Sequence, residues 1–271
     1  MDKVLILGGS GLVGTAVCRE MSGDKRFEVY ATYCHQPAAP DPERDRRLDV
    51  EDPGSAERVI RAVRPDLVVS CLRGDFAEQL KAHAAIAACL KEYGGRLYFF
   101  STTNVFDNDR RCAHTEADRP DSCTEYGRFK IACEQTLRAA LGEDACILRL
   151  PQVWGKSSPR LRALTGALHN REEITVYPHL FHNTNTDEMI AKQLCYIIDR
   201  GLTGVFHLAA EDAVNHRAFY AELAAQLGFP DARLREDEDE KGYFALASIR
   251  RHEFPERLRI TNQMVIGHLT T

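Results

Sequence analysis

The run Lys3-Val-Leu-Ile-Leu-Gly-Gly-Ser-Gly-Leu-Val-Gly-Thr15 constrains the fold more than any other stretch of this chain. A short apolar strand enters a glycine-rich turn that opens directly into a helix, the order a nucleotide-binding β-α unit requires. Gly8, Gly11 and Gly14 divide the work: one permits the tight turn, one lets backbone N–H groups approach a pyrophosphate, and one lets the helix pack close to the strand. The anion would rest on the helix N-terminus, where unpaired N–H groups and the macrodipole favour negative charge. A purely structural turn would carry similar glycines. Position directly after Val4–Leu7 is what favours the nucleotide reading.

Downstream, strand-like and helix-like segments alternate. Val4–Leu7 is followed by a helix over 12–22, a strand around Phe27–Thr32, a helix over 55–63 and the strand Leu67–Ser70. Next come a helix over 76–92, the strand Arg96–Phe100, a helix over 124–141 and the strand Ala145–Leu150. Repeated β-α units imply an α/β fold, a Rossmann-type doubly wound parallel sheet with helices on both faces. The continuously apolar runs at 67–69 and 97–100 suit strands buried on both sides. After Pro151 the rhythm loosens into helices near 159–170, 187–200 and 216–227 and short strands near 174–177 and 204–208. The expected division is a dinucleotide-binding domain over 1–150 and a smaller α/β substrate lobe over 151–271, with some segments returning to the first sheet. Pro37-Ala-Ala-Pro-Asp-Pro42 reads as a turn-rich connector, and the acidic run Glu236–Glu240 as a solvated loop without function.

Composition narrows the class. The 271 residues carry a net charge of -5 from intermixed acids and bases, with no basic stripe for nucleic acid and no apolar run approaching a membrane span. A strand at the very N-terminus leaves no room for a signal peptide. The nine cysteines are scattered, odd in number and without C-x-x-C, as expected of reduced thiols in a cytoplasmic protein. His179 and His182 form an isolated H-x-x-H, too little for a metal site, so no metal is expected.

A second constellation follows the later strands. Ser101-Thr-Thr-Asn-Val-Phe-Asp107 leaves the apolar strand at 97–100, and Tyr126-Gly-Arg-Phe-Lys130 follows in a helical segment. Tyr126 and Lys130, four apart, share one helix face. An ammonium near the phenol would favour phenolate and lower a pKa that is ordinarily near 10, so Tyr126 could donate a proton to a developing alkoxide as hydride arrives. Thr102 would add a hydroxyl donor to the carbonyl oxygen.

This ordered set resembles the extended short-chain dehydrogenase/reductase family, specifically its dTDP-4-dehydrorhamnose reductase branch. Residues 101–107 are similar to the branch's S-T-D-Y-V-F-D/P. Leu148-Arg-Leu-Pro-Gln-Val-Trp-Gly155 is similar to L-R-x-x-W-V-Y-G, Gly204-Val-Phe-His-Leu-Ala209 to G-x-Y/F-H-L-A/S, and Leu48-Asp-Val50 to the L-D-I/V stretch at the adenine end of the cofactor. The resemblance covers residues 1–230 and leaves the last forty unplaced. It implies catalysis by Thr102, Tyr126 and Lys130. It implies cofactor contacts from Gly8, Ser10, Gly11, Leu12, Val13, Gly14, Thr32, Asp49, Val50, Cys71 and Leu72, with Tyr126 and Lys130. It implies substrate contacts from Thr103, Asn104, Val105, Gln152 and Trp154.

Two departures stand out. Ser70-Cys-Leu-Arg73 replaces the branch's N-A-A-A against the cofactor, and Gln152 replaces its substrate-stacking Trp, with an aromatic displaced to Trp154. A Gln there needs hydrogen-bond partners, so the expected sugar is more polar at that contact than a 6-deoxy-4-keto hexose, unless Trp154 swings into the space. The second strand ends Ala31-Thr-Tyr-Cys-His-Gln36 with no acid to bind a ribose 2′-OH, so NADP(H) is expected over NAD(H), with Thr32 and His35 beside the 2′-phosphate. The leading expectation is an NADP-dependent reductase of a 4-keto nucleotide sugar. The alternatives are an epimerase or dehydratase of the same family, disfavoured by Thr103 where an acid would stand, and a non-catalytic nucleotide-binding regulatory subunit of the kind the branch supplies to methionine adenosyltransferase. Helices near 76–92 and 124–141 pair subunits in many relatives, and Ala82–Ala88 would suit a homodimer contact or packing on the chain's own sheet.

Overall fold

The computed structural model describes residues 1–35 and 43–271; Gln36 and the connector at 37–42 lie outside the described residues. The elements run β1 (Asp2–Leu7), α1 (Leu12–Ser22), β2 (Phe27–Tyr33), β3 (Asp45–Arg47), α2 (Ser55–Val63), β4 (Leu67–Ser70), α3 (Phe76–Tyr93), β5 (Arg96–Thr102), α4 (Glu125–Leu141), β6 (Ala145–Leu150), β7 (Gln152–Trp154) and α5 (Pro159–His169). They continue with β8 (Ile174–Val176), β9 (His179–His182), β10 (Thr184–Thr186), α6 (Asp187–Asp199), β11 (Val205–His207), β12 (Val214–Asn215), α7 (His216–Gln226), β13 (Leu234–Glu236), β14 (Lys241–Phe244) and α8 (Asn262–Thr270).

Seven strands form one sheet in the order β11-β6-β5-β4-β1-β2-β3, and every pairing in it is parallel. Alternate residues of the central strands feed two separate cores, as the period of two requires. Val4, Ile6, Val69, Tyr98, Phe100 and Leu148 pack on one face with residues of α1 and α6. Leu5, Leu7, Val68, Leu97, Phe99 and Ile147 pack on the other with α2, α3 and α4. Both faces are covered, which is why these strands are apolar throughout. After β1 the chain moves outward to β2 and β3, then returns to β4 on the opposite side. That reversal opens a crevice at the carboxyl ends of β1 and β4, where ligands of such sheets bind.

The chain beyond Pro151 divides between two places. α6 packs on α1 and β11 closes the sheet beside β6, whereas α5, α7 and α8 surround a third core of Trp154, Leu161, Leu164, Phe219, Leu223 and Val265. The last forty residues are well anchored. β14 pairs parallel with β9, and Arg250 donates to the Thr203 and Val205 carbonyls with its guanidinium 3.6 Å from the Phe206 ring centre. In α3, Ala82 and Ala87 are buried on the chain's own sheet while Ala84 and Ala88 are exposed. All nine cysteines are free thiols. Among the described residues no helix is long and apolar enough to cross a membrane, and no group of three or more His, Cys, Asp or Glu could hold a metal.

Candidate active site

The glycine turn is built by close approach. Gly8 has φ +75°, and a Cβ on it would lie 2.6 Å from the Cys71 carbonyl oxygen at the end of β4. A Cβ on Gly14 would lie 2.3 Å from the Gly8 carbonyl oxygen, so only glycine lets α1 start this near the turn. Gly11 is the N-cap of α1 with no side-chain cap, and the first turn carries no acidic residue. This terminus is fitted to an anion, and a dinucleotide pyrophosphate matches the cradle.

Gly11, Leu12, Val13, Gly14, Cys71, Leu72, Thr102, Thr103, Asn104, Tyr126, Lys130 and Gln152 line one cleft of about 1030 Å³. Thr102 ends β5, and its hydroxyl donates to Asn104 Oδ1 at 2.9 Å. Tyr126 stands in the first turn of α4, whose N-cap Thr124 accepts from the Gly127 N–H. Gly127 seats that turn, because a Cβ there would lie 2.0 Å from Ser122 Oγ and 2.3 Å from the Asn104 carbonyl oxygen. Lys130, one turn further on, is 7% exposed.

The electrostatics differ from the sequence expectation. Lys130 Nζ donates to the Phe100 carbonyl at 2.9 Å and stands 4.5 Å from the Phe99 ring centre, against 5.9 Å for Tyr126. Burial pushes this ammonium down to about 8. The Tyr126 phenol is raised above its ordinary value by burial, against the opposing pulls of the Thr102 hydroxyl and the Arg73 charge. The ammonium, turned towards a carbonyl, does not lower the phenol here; Arg73, in the segment that departs from the family pattern, does.

Several residues singled out in the sequence have partners within the chain or lie outside the cleft lining. Thr32 is 1% exposed, its hydroxyl accepting from the Gly8 N–H at 2.9 Å, so it braces the glycine turn. Asp49 turns back on its own loop, accepting from the Glu51 N–H at 3.1 Å, and Val50 packs on the second core. Ser10 is exposed and outside the cleft lining. Val105 is wholly buried with Phe106 and Leu246, so it supports the site from behind. Trp154 is also wholly buried, packed on Phe219 and Tyr220. Its indole N–H donates to Gln152 Oε1 at 3.0 Å, so Trp154 orients Gln152 and does not enter the cleft. Thr103 reaches the wall, but its hydroxyl is spent on the Leu150 carbonyl at 3.1 Å.

The second lobe adds Arg160, Tyr177 and His182, within the 157–185 segment expected to contribute to the substrate wall, and also His216 and Tyr220; Arg110 comes from the loop after β5 and Arg73 from the end of β4, and the sequence singled out none of these side chains as a site residue. Glu240 also lines the cleft and pairs with Arg110, which corrects the reading of its acidic run as a mere solvated loop. Arg73, Arg110, Lys130 and Arg160 face one lining carboxylate, Glu240, a balance suited to an anionic ligand.

A doubly wound sheet with a glycine cradle at its switch point defines an α/β dinucleotide-binding protein. The chain belongs to the RmlD substrate binding domain family, whose model it matches over residues 2–259. It is 25% identical over 253 residues to a dTDP-4-dehydrorhamnose reductase of Escherichia coli strain K12, with 84% of this chain and 80% of that protein covered. It is 27% identical to methionine adenosyltransferase 2 subunit beta of Danio rerio, with 86% and 76% covered. A 2'-dehydrokanamycin reductase of Streptomyces kanamyceticus is 31% identical over 156 residues, where this chain spans only 43% of that protein. The fold is also that of dTDP-4-dehydrorhamnose reductase from Bacillus anthracis str. Ames, solved in complex with NADP, at TM-score 0.82 and 17% identity, with 99% of this chain and 98% of that chain covered.

Proposed function

We propose that this protein is an NADP(H)-dependent oxidoreductase that reduces the 4-keto group of a nucleotide sugar. The observation that carries this reading is the convergence of Thr102, Tyr126 and Lys130 on the cleft that also holds the uncapped N-terminus of α1. When bound, the nicotinamide supplies a hydride to the carbonyl carbon. Tyr126, held protonated by its raised pKa, gives its phenolic proton to the carbonyl oxygen as charge develops there. The Thr102 hydroxyl donates to the same oxygen, exchanging its contact with Asn104. Lys130 is poised to hold the cofactor's ribose, and the Arg73 charge favours the phenolate left behind. Preference for NADP(H) is supported by the absence of an acid at Tyr33–His35 and by Arg46 and Arg47, which pair in register with Thr32 and Tyr33; NAD(H) is the weaker alternative.

Thr103, with its hydroxyl committed to Leu150, offers no acid for a dehydratase. The second reading is a cofactor-binding subunit without turnover, favoured by the match to the methionine adenosyltransferase subunit. NADPH consumption in the presence of 4-keto nucleotide sugars separates the two. Oxidation that is lost in Tyr126→Phe supports the reductase, and tight NADPH binding without oxidation supports the subunit.

A further inference from the structure

The half of the cleft contributed by the second lobe is lined by Gln152, Arg160, Tyr177, His182, His216 and Tyr220. His182, at the end of β9, is 2% exposed, and its Nε2 is buried without a hydrogen-bond partner. His216, at the start of α7, is 6% exposed, and its Nδ1 accepts from the Tyr177 N–H at 3.3 Å. That bond fixes the neutral ring with its hydrogen on Nε2, leaving Nε2–H as a donor. The two imidazoles lie 5.1 Å apart, and His216 stacks on Tyr220 at 4.6 Å. A buried polar atom without a partner carries a desolvation penalty that a ligand group would relieve.

Strand register sets His182 next to the strand that carries Gln152, and the ring contact between His182 and His216 brings His216 to the same wall of the cleft. Thr102 pairs with Leu150, Gln152 pairs with Thr184, and His182 stands two residues before Thr184. We propose that His182 and His216 recognise the sugar of the substrate, hydrogen-bonding its hydroxyl groups as neutral imidazoles; this rests on the nucleotide-sugar reading above. Burial, with Arg160 nearby, pushes His182 down to about 3 and His216 down to about 4, so both rings are neutral at physiological pH. His216, with Nδ1 already taken by the Tyr177 N–H, offers its Nε2–H donor, and the unpartnered His182 Nε2 offers a second polar contact to a hydroxyl. The anionic diphosphate is left to the arginines.

The test is calorimetric titration of the NADP-saturated protein with dTDP-glucose and with dTDP alone, which separates the sugar's contribution from the nucleotide's. The unmodified protein should bind dTDP-glucose at least about tenfold more tightly than dTDP. His182→Phe should abolish that advantage while leaving dTDP affinity unchanged, and His182→Gln, which keeps a donor and an acceptor, should retain part of it. Unchanged dTDP binding also reports that each variant is folded. Persistence of the sugar advantage in His182→Phe, or an equal loss for both ligands, would overturn the assignment. Failure of the unmodified protein to bind either ligand would instead overturn the nucleotide-sugar reading on which it rests.

Discussion

Lys130 sits among Phe99, Phe129 and the Phe100 carbonyl, and that apolar setting makes its ammonium easy to deprotonate. Its value of about 8 lies below the usual 10.5, so the burial penalty on the charge is in full force below about pH 8 and fades as the pH rises towards 10.5. Tyr126 shifts the other way, its phenol raised above the ordinary value by burial. Reductase kcat/KM is therefore expected to fall as pH rises through about 8, and a pH profile of Lys130→Met should lack that limb; the same limb in the variant would assign it elsewhere. Tyr126→Phe should lower turnover by about 10²–10⁴-fold with NADPH affinity retained, as single-turnover kinetics and titration would read. The spacing of Tyr126 and Lys130 was legible because four residues is one helical turn. The direction of the Lys130 amine was not, because it is set by the Phe100 carbonyl on β5, a tertiary contact.

The elements nearest the site are held by glycines whose absent side chains are the structural reason for their position. Gly14→Ala would push a methyl to 2.3 Å from the Gly8 carbonyl oxygen, a backbone atom that cannot swing aside. The expected result is a loss of about 1–3 kcal/mol in unfolding free energy together with weaker NADPH binding, measured by denaturant titration and fluorescence. Unchanged affinity in a folded Gly14→Ala protein would remove the cradle from the account. The β1–turn–α1 unit could be read directly from sequence because its requirements are local. Trp154 could not: its neighbours Phe219 and Tyr220 come from α7, and only their packing shows that the indole serves the lobe core. Glu240 was equally hidden, since its partner Arg110 lies far away in the chain.

Across the whole molecule, a buried polar network ties the strand that carries Thr102 to the segment after β14. Ser101, beside Thr102, donates to Glu134 at 2.5 Å, and Glu134 accepts from Arg149 at 3.0 and 2.7 Å. Arg149 reaches His207 Nε2 at 3.3 Å, and the opposite ring nitrogen meets the Ala247 carbonyl at 2.9 Å. Because the guanidinium only donates, His207 is the neutral ring with its hydrogen on Nδ1, in keeping with a pKa that burial pushes down to about 4. Glu134→Ala would strand a buried guanidinium and should cost about 3–5 kcal/mol, seen as a lower denaturant midpoint; a change within error would show the pair to be dispensable. No local pattern announces this network, whose members lie on β5, α4, β6 and β11 and in the segment after β14. The central claim, that this cleft carries out hydride transfer to a 4-keto nucleotide sugar, is tested most directly by mixing the protein with dTDP-4-dehydrorhamnose and 4-deuterated NADPH and analysing the sugar product. The account predicts NADPH oxidation with one deuterium transferred to C4 of the sugar, at low efficiency if the polar wall around Gln152 prefers another sugar; bound NADPH that is oxidised by neither this compound nor other 4-keto nucleotide sugars would contradict it.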